Sequence, residues 1–115
     1  MHELSIAEAI LERVAAEAER HPRARLTKVG IRIGELSGVD PEALSFGFEV
    51  LVKDTRWDPL ALDIQFCPRM QYCRGCAHEF RAMDSETACP KCGSPVTECI
   101  GGEELDVVFM ELEEE

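Results

Sequence analysis

The chain has 115 residues, 45% of them hydrophobic, which allows one modest core, as a single domain or a small domain with an appended module. Its 23 acidic and 12 basic residues give a formal net charge of −11. That argues against a nucleic-acid surface, whose affinity rests on neutralising phosphates, and against docking on an anionic membrane.

An acidic chain instead suits a basic partner or a cationic ligand. The terminal "ELEEE" reads most simply as a solvated end. No run approaches 18 consecutive apolar residues, so no membrane-spanning helix is expected. The first residues lack the basic and apolar regions of a signal peptide. The expected compartment is therefore the cytoplasm, where six cysteines point to metal more than to disulfides.

"SIAEAILERVAAEAER" predicts the first helix. Ser5 and Glu8 have capping-box spacing. Ala7, Ile10, Leu11, Val14 and Ala18 form one apolar face, and His21-Pro22 ends the helix. His21 reads as a cap residue near the negative end of the helix dipole. "LTKVGIRIGEL" then alternates as a half-buried strand, with Thr27, Val29, Ile31 and Ile33 on the core side and Lys28, Gly30 and Arg32 on the other.

After a loop, Asp40-Pro41 starts a second helix, with an N-cap carboxylate and proline at the first helical position. Leu44, Phe48, Leu51 and Val52 line its apolar face. "LALDIQF" is a second strand, with Leu60, Leu62, Ile64 and Phe66 on one side and Pro68 as its end. The segment "ELDVVFMEL" is a last strand. Leu105, Val107 and Phe109 lie on one side and Val108, Met110 and Leu112 on the other, which suggests cover on both faces. The expected fold class is α+β: two helices packed on a small three-stranded sheet, with a cysteine-rich module inserted before the last strand. The module spans residues 67–100 and the body residues 1–66 plus 101–115.

The module contains "CRGC" and "CPKC", that is Cys73-x2-Cys76-x12-Cys89-x2-Cys92. Two residues between cysteines let both thiolates of a turn reach one ion. Two such turns supply the tetrahedral sulfur set of a structural zinc site. A rubredoxin-like iron site has the same ligands, and the short 12-residue separation favours a compact zinc ribbon. Gly93 suits a tight turn whose amides donate to sulfur, and Arg74 or Lys91 is expected to offset the negative charge of four thiolates. All four positions are protein ligands, so the site is closed to substrate. His78 reads as an exposed polar residue of the knuckle rather than a ligand. Cys67 and Cys99 lie outside the motif and are expected to be buried thiols facing each other where the module joins the body.

The chain begins Met1-His2-Glu3. The α-amine, the His2 backbone nitrogen and the His2 ring Nδ1 form fused five- and six-membered chelate rings, and Glu3 offers its amide nitrogen or its carboxylate as a fourth donor. With deprotonated amides the set favours planar Ni²⁺ or Cu²⁺. His2 must be neutral to bind, so affinity falls with acidification.

With these features placed, the chain resembles the HypA/HybF family of hydrogenase maturation factors. The likeness runs from "MHELS" through "VGIRIGELSGVDPEALSFGFEVL", "CRGC" and "CPKCGS" to "GGEELDVVFMELE". It implies a nickel metallochaperone that carries Ni(II) through His2, with Met1 and Glu3 as associated donors, and holds structural Zn(II) through Cys73, Cys76, Cys89 and Cys92. It implies delivery to the large subunit of [NiFe]-hydrogenase with the GTPase HypB, and for some members service to urease. Some relatives carry histidines directly after their CxxC pairs, where this chain has Ala77 and Gly93.

A zinc-ribbon adaptor that binds protein partners without cargo metal is the competing reading. Neither nucleic acid nor membrane is an expected partner. An enzyme is not expected: no Ser/His/Asp set or glycine-rich phosphate loop is present, and the zinc motif leaves no open metal position. Glu35 and Asp40 read as turn and cap chemistry.

Overall fold

A computed structural model of the chain describes residues 3–83 and 86–114. The first helix, α1 (Glu3–Arg20), buries Ile6, Ala7, Ile10 and Val14. It begins two residues earlier than the capping-box spacing predicts. Ser5 lies exposed within its first turn, because packing Ile6 and Ala7 keeps the backbone helical upstream of them.

Strand β1 (Ala24–Gly34) is central in the first sheet, whose order is β2-β1-β6. It runs parallel to β2 (Ala61–Cys67) and antiparallel to β6 (Leu105–Glu114). Parallel neighbours require a crossover, and α2 (Pro41–Val52) provides it. The Asp40 carboxylate accepts from the amides of Glu42 (3.0 Å) and Ala43 (3.4 Å), so the predicted cap is formed. Leu44, Phe48 and Val52 are buried against Val29, Ile31 and Ile33, and α1 covers the same face of the sheet.

Three sequence expectations change with the fold. Leu26, not Thr27, is buried at the start of β1. A bulge between Leu26 and Lys28 inserts one residue and shifts the alternation. Phe66 is 48% exposed, because β2 is a sheet edge and the ring borders an open groove beside the first turns of α2. Strand β6 is the other edge and is not covered on both faces. A second bulge leaves Val108 unpaired between the Gly30–Phe109 and Ile31–Val107 pairs. Val107 and Met110 reach the core, whereas Leu105, Val108, Phe109 and Leu112 stay exposed.

The cysteine-rich segment forms its own sheet, order β4-β3-β5, from β3 (Met70–Cys73), β4 (His78–Arg81) and β5 (Glu98–Gly101). No alternation announces these strands, because little apolar surface holds them together. Its buried residues are Gln71, Cys73, Ala82 and Cys89. Gln71 Nε2 donates to Thr97 Oγ1 at 3.0 Å, and the Thr97 hydroxyl donates to the Thr87 carbonyl.

The two sheets meet at a glycine junction. The Gly34 amide donates to the Glu104 carbonyl (2.7 Å) and the Leu36 amide to the Gly102 carbonyl (2.6 Å). A Cβ on Gly34 would strike the Gly102 carbonyl, and Gly102 sits at φ +113° against the Arg69 backbone, a conformation that favours glycine. The radius of gyration, 18.1 Å, exceeds the roughly 13 Å of a compact chain of this length, so the second sheet projects from the first. Among the described residues no helix is long and apolar enough to cross a membrane.

Candidate metal centres

Cys73 ends β3, and Cys76 sits in the turn that leads into β4. Ala77 completes that turn at φ +57°. In the second knuckle the Gly93 amide donates to the Cys89 carbonyl (2.8 Å) and the Cys89 amide to the Ser94 carbonyl (2.9 Å), with Gly93 at φ +76°. The positions after each pair, 77 and 93, are thus both left-handed turn positions. Their small residues suit the turns, and neither supplies a ligand.

The two knuckles bring four sulfurs together. Sγ of Cys73 and Cys92 are 3.6 Å apart, as are those of Cys76 and Cys89, and all four lie within 4.8 Å of one another. Four sulfurs bound to one zinc at about 2.3 Å stand about 3.8 Å apart, so the donor set and its spacing fit a tetrahedral ion. Cys73 and Cys89 are buried and Cys92 is exposed.

The crowding of four sulfurs splits the thiols by their surroundings. Burial, then contacts with Cys89, Cys92 and Cys73, pushes the Cys76 thiol up to about 12. Burial also acts upward on Cys89, but the backbone amides of Cys92 and Lys91 and the contact with Cys76 outweigh it and bring that thiol down to about 7. Backbone N–H donors toward sulfur thus come from His78 to Cys76, from Lys91 and Cys92 to Cys89, and from Ser94 to Cys92. The expected help from Arg74 is redirected: its guanidinium donates to Glu98 on β5 at 2.9 Å. Lys91 contributes its backbone.

His78 is half-buried and stacks on Phe80, ring centroids 5.9 Å apart, so it is packed rather than fully exposed. It is not in the sulfur cluster. Cys67 and Cys99 are free thiols, and Cys99 is exposed. Each makes a local contact, Cys67 with the Gln65 carbonyl at 3.9 Å and Cys99 with the Gly101 carbonyl at 3.3 Å. The expectation that both are buried fails because β5 lies on the surface of its sheet.

Of the predicted terminal donors, Met1 and His2 lie outside the described residues. Glu3 is the first residue of α1, and its carboxylate is 3.5 Å from the Asp40 amide. Glu3 therefore lies beside the start of α2. Sequence reasoning missed this contact, which joins residues 37 positions apart.

The family model described as "Hydrogenase/urease nickel incorporation, metallochaperone, hypA" matches residues 1–112. The chain belongs to the HypA family. It is 38% identical over 113 residues to the hydrogenase maturation factor HypA of Alkalilimnicola ehrlichii, covering 98% of this chain and all of that one. It is 41% identical over 118 residues to the HypA of Solidesulfovibrio magneticus, again covering 98% and 100%. The solution structure of the nickel metallochaperone HypA from Helicobacter pylori has the same fold, with a TM-score of 0.64 at 24% identity over the full length of both chains. HypA proteins are nickel-incorporation metallochaperones of hydrogenase and urease maturation and not enzymes, and this one carries a four-cysteine metal site.

Proposed function

We propose that this chain binds Ni(II) at its N-terminus and delivers it to the large subunit of a [NiFe]-hydrogenase in the cytoplasm, together with a HypB-type GTPase, while Cys73, Cys76, Cys89 and Cys92 hold a structural Zn(II). The observation that carries the reading is the family match that begins at residue 1 and continues through the sulfur cluster.

The donors are the Met1 amine, the His2 backbone nitrogen and ring, and Glu3. Because α1 opens at Glu3, the Glu3 amide is among the first-turn N–H groups that have no intrahelical acceptor. It is available as a fourth nitrogen. The Glu3 carboxylate lies toward Asp40, which favours the amide as the donor from Glu3. Residues 1–66 with 101–115 form the nickel-binding body, and residues 67–100 form the zinc ribbon.

Titrating untagged protein with Ni²⁺ while measuring both metals tests the reading. His2→Ala is expected to abolish stoichiometric nickel and keep zinc. An N-terminal tag is expected to weaken nickel by removing the free amine. Unchanged nickel stoichiometry in His2→Ala would sink the assignment. Failure of the unaltered chain to bind nickel would favour a zinc-ribbon adaptor.

A further inference from the structure

We propose that the free edge of β2, with the aromatic pair Phe46 and Phe66 beside it, is a docking strip for an extended segment of a partner protein whose residues alternate between apolar and basic. Among the described residues β2 pairs with β1 alone, in a regular register over seven residue pairs, so its other edge offers unpaired backbone groups over roughly 23 Å. Such an edge is a template for an added strand.

The side chains flanking this edge differ by face. On the α2 side, Ile64 and Phe66 border a shallow groove whose far wall is Phe46, with Glu42 and Glu49 on its rim. Phe46 is 68% exposed and Phe66 48%, a large apolar surface to leave in water. On the opposite face, β2 presents Asp63 and Gln65, both exposed. Glu42, Glu49 and Asp63 make no salt bridge among the described residues; Lys28 and Arg32, which flank Asp63's partner Gly30 on β1, are bound to Glu111 at 3.4 Å and Asp106 at 2.8 Å.

A strand added here alternates in the same way. One set of its side chains meets Phe46, Ile64 and Phe66, and the other meets Asp63. The charge complement of Asp63 is lysine or arginine.

The other free edge, β6, is a poorer template. It carries a bulge at Val108, and three of its four acids are already paired: Asp106 with Arg32, Glu111 with Lys28 and Glu113 with Arg25. A second copy of this chain is a poor occupant of the β2 strip, because a two-fold contact would bring Glu42, Glu49 and Asp63 against their own counterparts. An anionic membrane is repelled by the same acids.

The inference rests on the chaperone reading only in taking the occupant to be a protein that loads or receives metal. The probe is an amidated heptapeptide alternating valine and lysine, with a valine–glutamate peptide as its counterpart, added to the zinc-loaded full chain and followed by amide NMR shifts. The lysine peptide is expected to shift amides of residues 61–67 and those around Phe46, and the glutamate peptide to shift neither. Asp63→Lys is expected to weaken binding about tenfold, and Phe46→Ala severalfold; both sites are exposed, so the fold is retained.

Absence of binding, shifts confined to residues 105–114, or affinity unchanged in both variants would overturn the proposal. So would a dimer in sedimentation that Phe46→Ala abolishes. Nickel titration of the same proteins separates the two readings: Asp63→Lys keeps nickel and loses peptide, whereas His2→Ala loses nickel and keeps peptide.

Discussion

The carboxylate of Glu35, just beyond the end of β1, accepts a hydrogen bond from the backbone amide of Arg69 at 2.9 Å, and Arg81 of the ribbon lies 3.9 Å from the same oxygen. One side chain thus ties the helix-covered sheet to the projecting one. Around it the chain is locked by backbone alone, with Glu35 N donating to the Cys67 carbonyl and Leu36 N to the Gly102 carbonyl. Glu35→Ala is expected to cost about 1 kcal/mol, the scale of a partly exposed charge-assisted bond. Both sheets should stay intact while their relative orientation loosens. Faster hydrogen exchange at the Arg69 amide, with unchanged exchange in α2, is the result to look for. An unchanged Arg69 rate would show that the glycine junction alone fixes the ribbon.

Removing the metal proposed for the four-cysteine site should divide the molecule. Among its described residues the ribbon buries Gln71, Cys73, Ala82 and Cys89 but no large aliphatic or aromatic side chain, so its sheet is expected to depend on sulfur–metal bonds. The body has a core of Phe48, Leu44, Ile31, Ile33 and Val29 that needs no metal. A chelator is expected to collapse the amide dispersion of residues 70–100 while the helical circular dichroism of α1 and α2 persists. Loss of both signals together would contradict this division.

Gly30 lies beneath the ring of Phe109 on the face of the sheet away from the helices. A Cβ at position 30 would overlap that ring. Gly30→Ala is therefore expected to destabilise by about 1 kcal/mol, the cost being limited because Phe109 is 42% exposed and has room to swing away. In a Phe109→Ala background the same change should be neutral or stabilising, since alanine suits a strand better than glycine. Denaturant midpoints of the four proteins in this cycle test it; additive effects would rule the clash out.

Asp106 accepts from Arg32 Nη2 at 2.8 Å and from Nε at 3.2 Å. This hydrogen bonding, with the guanidinium charge, holds its carboxyl below the ordinary 3.8 despite an opposing desolvation effect. A lowered native value means that the pair contributes stability above about pH 4 and loses it as pH falls through the native value. Both groups are solvent-exposed, so the contribution is small and screened by salt. Asp106→Asn is expected to lower the thermal midpoint slightly at pH 6 in low salt and by progressively less as the pH falls below the ordinary 3.8. An equal drop at every pH would mean that the carboxylate's charge plays no part.

The four-cysteine cluster was legible in the sequence because each half of it is local: a CxxC turn brings two sulfurs together whatever surrounds it. The Asp40-Pro41 cap and the buried faces of both helices were legible for the same reason: they need only spacing along one element. What the tertiary structure decided lies between distant segments. The bulges that give Leu26 to the core and expose Val108 arise where β1 and β6 pair across some 80 residues. The exposure of Phe66, which alternation alone assigned to the core, follows from the place of β2 at a sheet edge. The contacts from Glu3 to Asp40 and from Glu35 to Arg69 depend on loop closures that no local pattern encodes. Spacing determined which atoms are available to a metal, and the packing of the sheets decided how the two ends of the molecule are joined.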